Sequence, residues 1–311
     1  MKQIFLPTAL VVAFVFSSCA SNSVSTASLP VVVTPGEHVD VFIPSGESYA
    51  VGTMAYPEEL AEPVPAVLLL PGFMGERDEL PVTGTYSPQE GGRPLGMWEL
   101  TSHALADEGM ASLRIDYRNS GRAPGKWEDA TVTRELEDVY AALAWLQANP
   151  AVDASRIAIC GLSQGGALAA LASGDDAVSA VVLWSAAADL SEIEGFVPQE
   201  QRPELHEKGI VTFQVPWGEE VTMKKAYFDS VEGLDPLAGI AAFDGPLLSL
   251  GGTQDQLISP QPDVAQSFLD VHDGPEDLGV IEADHTFNNF MGPDVMIEVA
   301  TATAQWLKAN L

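Results

Sequence analysis

Short apolar-rich runs recur along the chain at 66–70, 111–115, 157–160, 180–184, 247–250 and 280–282, and those at 66–70, 157–160 and 180–184 hold no polar residue at all. A run of this length without polar alternation suits a strand covered on both faces, so these runs predict the strands of a mainly parallel sheet. Between them, residues 132–146, 164–172, 262–271 and 295–307 carry apolar positions three or four apart, the spacing that gives a helix one apolar face. Strand and helix therefore alternate. The pattern predicts an α/β fold, a mostly parallel central sheet flanked by crossover helices, with ligands bound beyond the carboxyl ends of the strands. Ahead of the first run, 39–43 and 49–56 flank Pro44-Ser45-Gly46-Glu47 and predict an opening antiparallel pair.

Two stretches break the rhythm. Residues 80–96 form an insertion of no evident role. The longer span, about 191–244, is expected to be a small lid insertion, since it carries Phe196, Phe213, Trp217, Tyr227 and Phe228 among polar residues. An ordinary packed excursion is the alternative. With 311 residues, 46% of them apolar, the chain can fill one full core, and a single domain is expected over 37–311.

The first 20 residues read differently. One basic residue, Lys2, precedes an apolar stretch at 4–16 and then Ser17-Ser18-Cys19-Ala20. This predicts a secretory signal, too short and too abruptly ended to span a membrane. Small residues directly before Cys19 resemble a bacterial lipobox, although Phe16 stands where an aliphatic residue is usual. Cys19 is thus the expected lipidated residue, with cleavage after Ala20 as the alternative. Residues 21–36 are expected to tether the domain to that anchor, and the product is expected to be exported, membrane-held only through its lipid or else secreted. Only Cys160 then remains, which excludes an intramolecular disulfide.

The charge narrows the partners. Acidic residues number 44 and basic residues 14, a net charge of −30 without a long acidic run. Nucleic acid is excluded as a partner because phosphate binding needs clustered Lys and Arg. The balance reads as a solvated acidic surface, unsuited to selecting anionic substrates.

The candidate chemistry centres on Gly161-Leu162-Ser163-Gln164-Gly165, which joins the run 157–160 to the helix predicted from 164. In that strand–turn–helix setting the pattern holds a serine hydroxyl out at the top of the sheet, with free N–H groups and a positive dipole end beneath it. Such a hydroxyl needs a base and an acid that orients the base, and on this arrangement they follow in the order acid, then histidine. Of five histidines, His38 and His103 precede Ser163, His206 falls in the expected lid, and His272 ends a helix-like segment. His285, directly after the last apolar run, is the expected base. Asp255 is the acidic residue in the loop after 247–250, against the rivals Asp284, Asp235 and Asp244. The oxyanion hole should take its N–H groups from Gln164 and from the loop Pro71-Gly72-Phe73-Met74-Gly75, with Phe73 the expected donor and Met74 the alternative. Dispersed histidines and a single remaining cysteine give no ligand cluster, so neither metal nor organic cofactor is expected.

Together these motifs resemble the α/β-hydrolase superfamily and, within it, bacterial cinnamoyl or feruloyl esterases and serine-aminopeptidase-like hydrolases. The resemblance runs from about 64 to 307 and includes Asp116-Tyr117-Arg118-Asn119-Ser120-Gly121, Gly252-Thr253-Gln254-Asp255 and Ala283-Asp284-His285. It departs at Pro71-Gly72, where such enzymes carry His-Gly, and at the insertion 80–96. It implies a Ser163–His285–Asp255 triad, oxyanion roles for Phe73 and Gln164, and an esterase acting on small-molecule carboxylic esters, aromatic acyl esters among them. An aminopeptidase or acyl-peptide hydrolase with the same triad is the second reading, and a non-catalytic binding protein on this fold the third.

Overall fold

The computed structural model describes residues 10, 11, 32, 33, 36–87 and 92–311. Leu10–Val11 pairs antiparallel with Val32–Val33. Apart from those four residues and Gly36, the expected signal with Cys19 and the expected tether lie outside the described residues.

Eight strands form one sheet: β1 (His38–Ser45), β2 (Ser48–Ala55), β3 (Val64–Leu70), β4 (Ala111–Asp116), β5 (Val152–Leu162), β6 (Val178–Trp184), β9 (Leu247–Gly252) and β10 (Glu276–Ile281). A separate antiparallel hairpin is made by β7 (Ile210–Gln214) and β8 (Glu220–Lys224). The large sheet runs β10-β9-β6-β5-β3-β4-β2-β1. From β10 to β4 the neighbours are parallel, and the β1–β2 hairpin joins antiparallel at the β4 edge.

Residue parity along β3 shows why its run is continuous. Ala66, Leu68 and Leu70 enter the core beneath α2 (Val132–Ala148) and α3 (Gln164–Ala172), with Val139, Leu143 and Leu168. Val67 and Leu69 enter the other core, beneath α1 (Met97–Asp107) and α8 (Asp294–Asn310), with Trp98, Trp184 and Leu307. A strand buried on both faces has no polar position to spare.

Two elements differ from the expected pattern. The sequence predicts no helix at 97–107 because Thr101 and Ser102, on the buried side of α1, interrupt its apolar stripe. Their hydroxyls are satisfied locally by Met97 O and Trp98 O, each at 2.8 Å, so they pack as if apolar. The last strand begins four residues before the run at 280–282. It is an edge strand whose Glu276, Asp277 and Leu278 are exposed, so no apolar run marks its first half.

The span about 191–244 folds as a 3₁₀ turn (Leu190–Phe196), α4 (Arg202–Lys208), the β7–β8 hairpin, α5 (Lys225–Asp229) and α6 (Pro236–Ala241), and α7 (Asp263–Leu269) then links β9 to β10. Phe213, Val221, Tyr227 and Phe228 are buried in the same core as α2 and α3, while Trp217 stays exposed. In the insertion 80–96, Pro81 bridges antiparallel to Gly96 and Val82 is buried in the α1–α8 core.

That core is centred on Trp184, whose ring lies 4.6 Å from Trp98 and 5.6 Å, edge-on, from Phe287. Its buried Nε1–H donates to Thr303 Oγ1 of α8 at 3.1 Å. Thr303→Val keeps the shape and removes the acceptor, so it should lower stability by about 1–3 kcal/mol in urea unfolding.

Candidate active site

Ser163 occupies the turn between β5 and α3 with φ +56° and ψ −118°, a strained conformation for a residue with a side chain. Neighbouring backbone imposes it. A Cβ on Gly161 would overlap the Gly165 carbonyl, and one on Gly165 would overlap the carbonyl oxygens of Leu70 and Pro71. At Gly166 a Cβ would lie 2.5 Å from that of Ala186. The glycines thus let α3 start directly against the ends of β3 and β6, as G-x-S-x-G requires. Ser163 N–H donates to Trp184 O at 2.8 Å, and Ser163 O accepts Ala187 N–H at 3.2 Å, which fixes the turn to the adjacent strand.

Asp255 follows β9, and His285 follows β10. Their loops touch closely, with Gln254 N–H donating to Ala283 O at 2.9 Å. His285 Nδ1 lies 2.8 Å from Asp255 Oδ2. The other carboxylate oxygen of Asp255 accepts the N–H groups of Leu257 and Ile258 at 2.8 and 2.9 Å, so this buried acid is fully bonded. Ser163, Asp255 and His285 therefore share the carboxyl end of the parallel strands. Two of the rivals are occupied elsewhere: Asp284 folds its own loop by accepting Thr286 and Asn288 N–H, and Asp235 caps α6. His272 is buried and stacked on Phe243 at 5.9 Å, not at the surface as its position after a helix suggests.

A cavity of about 230 Å³ opens at the turn. Ser163, Gln164 and Phe73 line it, with Ala187, Leu190, Ile193, Phe196, Leu257 and Ile258 as its apolar wall and Asp189 and Glu192 as its acidic residues. Asp255 and His285 do not line it; the Asp255 loop reaches it through Leu257 and Ile258. The backbone N–H groups of Phe73 and Gln164 make no hydrogen bond among the described residues. Met74 faces a different cleft, beside Glu76 and Trp127. No residue of 80–96 borders the cavity among the described residues.

Residues 53–201, just under half of the chain, match the family described as X-Pro dipeptidyl-peptidase (S15 family). No curated protein matches by sequence. Among solved structures, Est1E from Butyrivibrio proteoclasticus with ferulic acid bound is similar at TM-score 0.65 and 19% identity, over 86% of this chain and 99% of that one. The α/β hydrolase GrgF from Penicillium sp. sh18 is similar at TM-score 0.69 and 16% identity, over 88% and 99%. The chain has the α/β-hydrolase fold. The acylaminoacyl peptidase of Pyrococcus horikoshii shares the fold at TM-score 0.63 and 15% identity, over 90% of this chain and 42% of that one.

Two carboxyl groups beneath the turn escape the sequence pattern. Half-buried Glu79 accepts Gly72 N–H at 2.8 Å and so holds the loop that carries Phe73. Glu135, fully buried, accepts Gln164 Nε2–H at 2.5 Å. Its position carried a signal, because it stands on the apolar stripe of α2 between Val132 and Val139. Burial, reinforced by the nearby Asp138 charge and opposed by the Gln164 hydrogen bond, pushes its carboxyl from 4.5 up to about 8.

That shift has a sign. The unfolded chain loses this proton near pH 4.5, whereas the folded protein keeps it until about pH 8. Between those values the unfolded state binds fewer protons, so the Glu135 contribution to stability falls as pH rises and levels off above pH 8. Glu135→Gln removes the titration. Its urea midpoint relative to the parent should therefore rise between pH 5 and pH 8; a pH-independent difference would refute the assignment.

Proposed function

We propose that this protein is a hydrolase, an exported serine esterase that cleaves carboxylic esters through an acyl-enzyme. Asp255 accepts a hydrogen bond from His285 Nδ1–H, which leaves Nε2 unprotonated as the base that takes the Ser163 hydroxyl proton. Ser163 Oγ attacks the ester carbonyl. The Phe73 and Gln164 N–H groups stabilise the oxyanion, and the protonated histidine returns its proton to the departing alcohol. Water then repeats the cycle and releases the acid. The observation that carries the reading is the 2.8 Å His285–Asp255 contact at the same sheet end as the strained Ser163 turn.

Aromatic acyl groups fit the cavity, whose wall includes Phe73 and Phe196 with rings 6.0 Å apart. Similarity to Est1E, which binds ferulic acid, supports the same choice. The peptidase reading has its own support in the S15 match and the acylaminoacyl peptidase fold.

Ser163→Ala should abolish p-nitrophenyl acetate hydrolysis with folding intact, and Asp255→Asn should lower kcat by about 10⁴. Unchanged turnover in Ser163→Ala would sink the mechanism. Feruloyl and acetyl esters should be cleaved faster than aminoacyl anilides; the reverse ranking would favour the peptidase. Export and anchoring are read from the signal-like segment and Cys19. Expression in a bacterium fed labelled fatty acid should label the parent and not Cys19→Ser, and an unlabelled parent would instead favour a soluble secreted form.

A further inference from the structure

Tyr227 lies on α5, within the 190–241 excursion, yet it touches both residues whose backbone N–H groups form the proposed oxyanion hole. Its hydroxyl donates to Gln164 Oε1 at 2.6 Å. Its ring packs edge-on against Phe73, with centroids 5.8 Å apart and planes at 71°. At the far end of the same amide, Gln164 Nε2 donates to Glu135 at 2.5 Å. The Gln164 side chain is therefore held at both ends, by the excursion on one side and by α2 on the other.

The two holders are themselves tied together. Val132 N–H, at the start of α2, donates to Ser230 Oγ at 2.9 Å, and Ser230 Oγ–H donates to Tyr227 O at 2.6 Å. Trp127 completes a ring cluster, 5.6 Å from Phe73 and 5.8 Å from Tyr227. Tyr227 and Gln164 are both buried, and Tyr227 is not among the residues lining the cavity. It is thus placed to act on the donors rather than on the substrate.

We infer that Tyr227 is a positioning residue that, through Gln164 and Phe73 and with Glu135 at the other end of the Gln164 amide, holds the two oxyanion donors in register. The physical need is plain. Ser163 sits at φ +56°, so the turn that aims the Gln164 N–H stores strain, and a strained turn keeps its geometry only when its surroundings over-determine it. Preorganised donors stabilise developing charge in proportion to how well they are aimed, and small misplacements cost rate rather than binding. The inference rests on the esterase reading above.

The test uses Tyr227→Phe, Glu135→Leu and Glu135→Gln in the full chain, assayed well below each variant's melting temperature. Tyr227→Phe should lower kcat about 10-fold for acetyl and feruloyl esters alike, with KM within a factor of about 2, because the loss is in aiming the oxyanion donors. The inhibition constant for phenylboronic acid, which forms a tetrahedral anion on the serine, should rise by the same factor. Glu135→Leu should reproduce both changes, and Glu135→Gln, which retains an acceptor for Gln164, should restore them. The double variant Tyr227→Phe/Glu135→Leu should lose little more than either single one, since both act through one amide. Parental kcat and boronate affinity in Tyr227→Phe, or a change confined to KM, would overturn the inference; if Tyr227→Phe does not fold, Glu135→Leu decides it alone. Persistent turnover in Ser163→Ala would overturn the esterase reading instead, so the two failures are separable.

Discussion

The contact on which the rest depends is the close approach of the α3 start to the ends of β3 and β6. Gly161, Gly165 and Gly166 leave no room for a Cβ between those backbones. Any side chain there would push the helix off the sheet and relax the Ser163 turn. Because the helix cannot retreat, Ser163 must adopt a positive φ, its hydroxyl projects beyond the sheet, and the Gln164 N–H at the helix start makes no hydrogen bond among the described residues. Packing at the backbone level thus sets the local chemistry before any catalytic partner is considered.

The partners reach this turn because parallel strands deliver their loops to one end. Asp255 follows β9 and His285 follows β10, both on the same side of β5 in the sheet order. That much was legible in the sequence, since each of the three residues stands shortly after an apolar run. The parts that were not legible share one cause: a polar residue buried with a partner looks like an exposed one. Thr101 and Ser102 hid α1 in this way, although their hydroxyls return to the helix backbone. Glu135 hid its contact with Gln164, and Tyr227 its double contact with Gln164 and Phe73, because the partners lie 29 and 63 or more residues away. Spacing along the chain carries no record of such pairings.

The histidine loop shows how an irregular segment can be held where the sheet gives little help. β10 is an edge strand with an exposed outer side, and the loop after it carries positive φ at Phe287 and Asn288. Two anchors supply what a further strand would have given. Phe287 is fully buried against Trp184 in the α1–α8 core. Buried Asn289 accepts Thr286 Oγ1–H at 2.6 Å and donates to Pro81 O at 2.9 Å, while its carbonyl accepts Thr83 N–H at 2.8 Å.

Those last two bonds give the insertion 80–96 a structural place that its sequence did not disclose. It does not border the cavity among the described residues; it braces the loop on which His285 stands. Its own footing is the α1–α8 core, through Val82, and the start of α1, where Met97 N–H donates to Leu80 O at 3.0 Å. The imidazole is thus located from two directions, by Asp255 in front and by the insertion behind. In the proposed mechanism the base gains from such double support, because its Nε2 must stay aimed at one hydroxyl through both halves of the reaction while its loop follows an edge strand. The excursion braces the opposite side in the same manner, through the contacts of Tyr227 with Gln164 and Phe73. Two breaks in the strand–helix rhythm, read from the sequence as appendages, therefore stand on opposite flanks of one turn and hold the groups that face it.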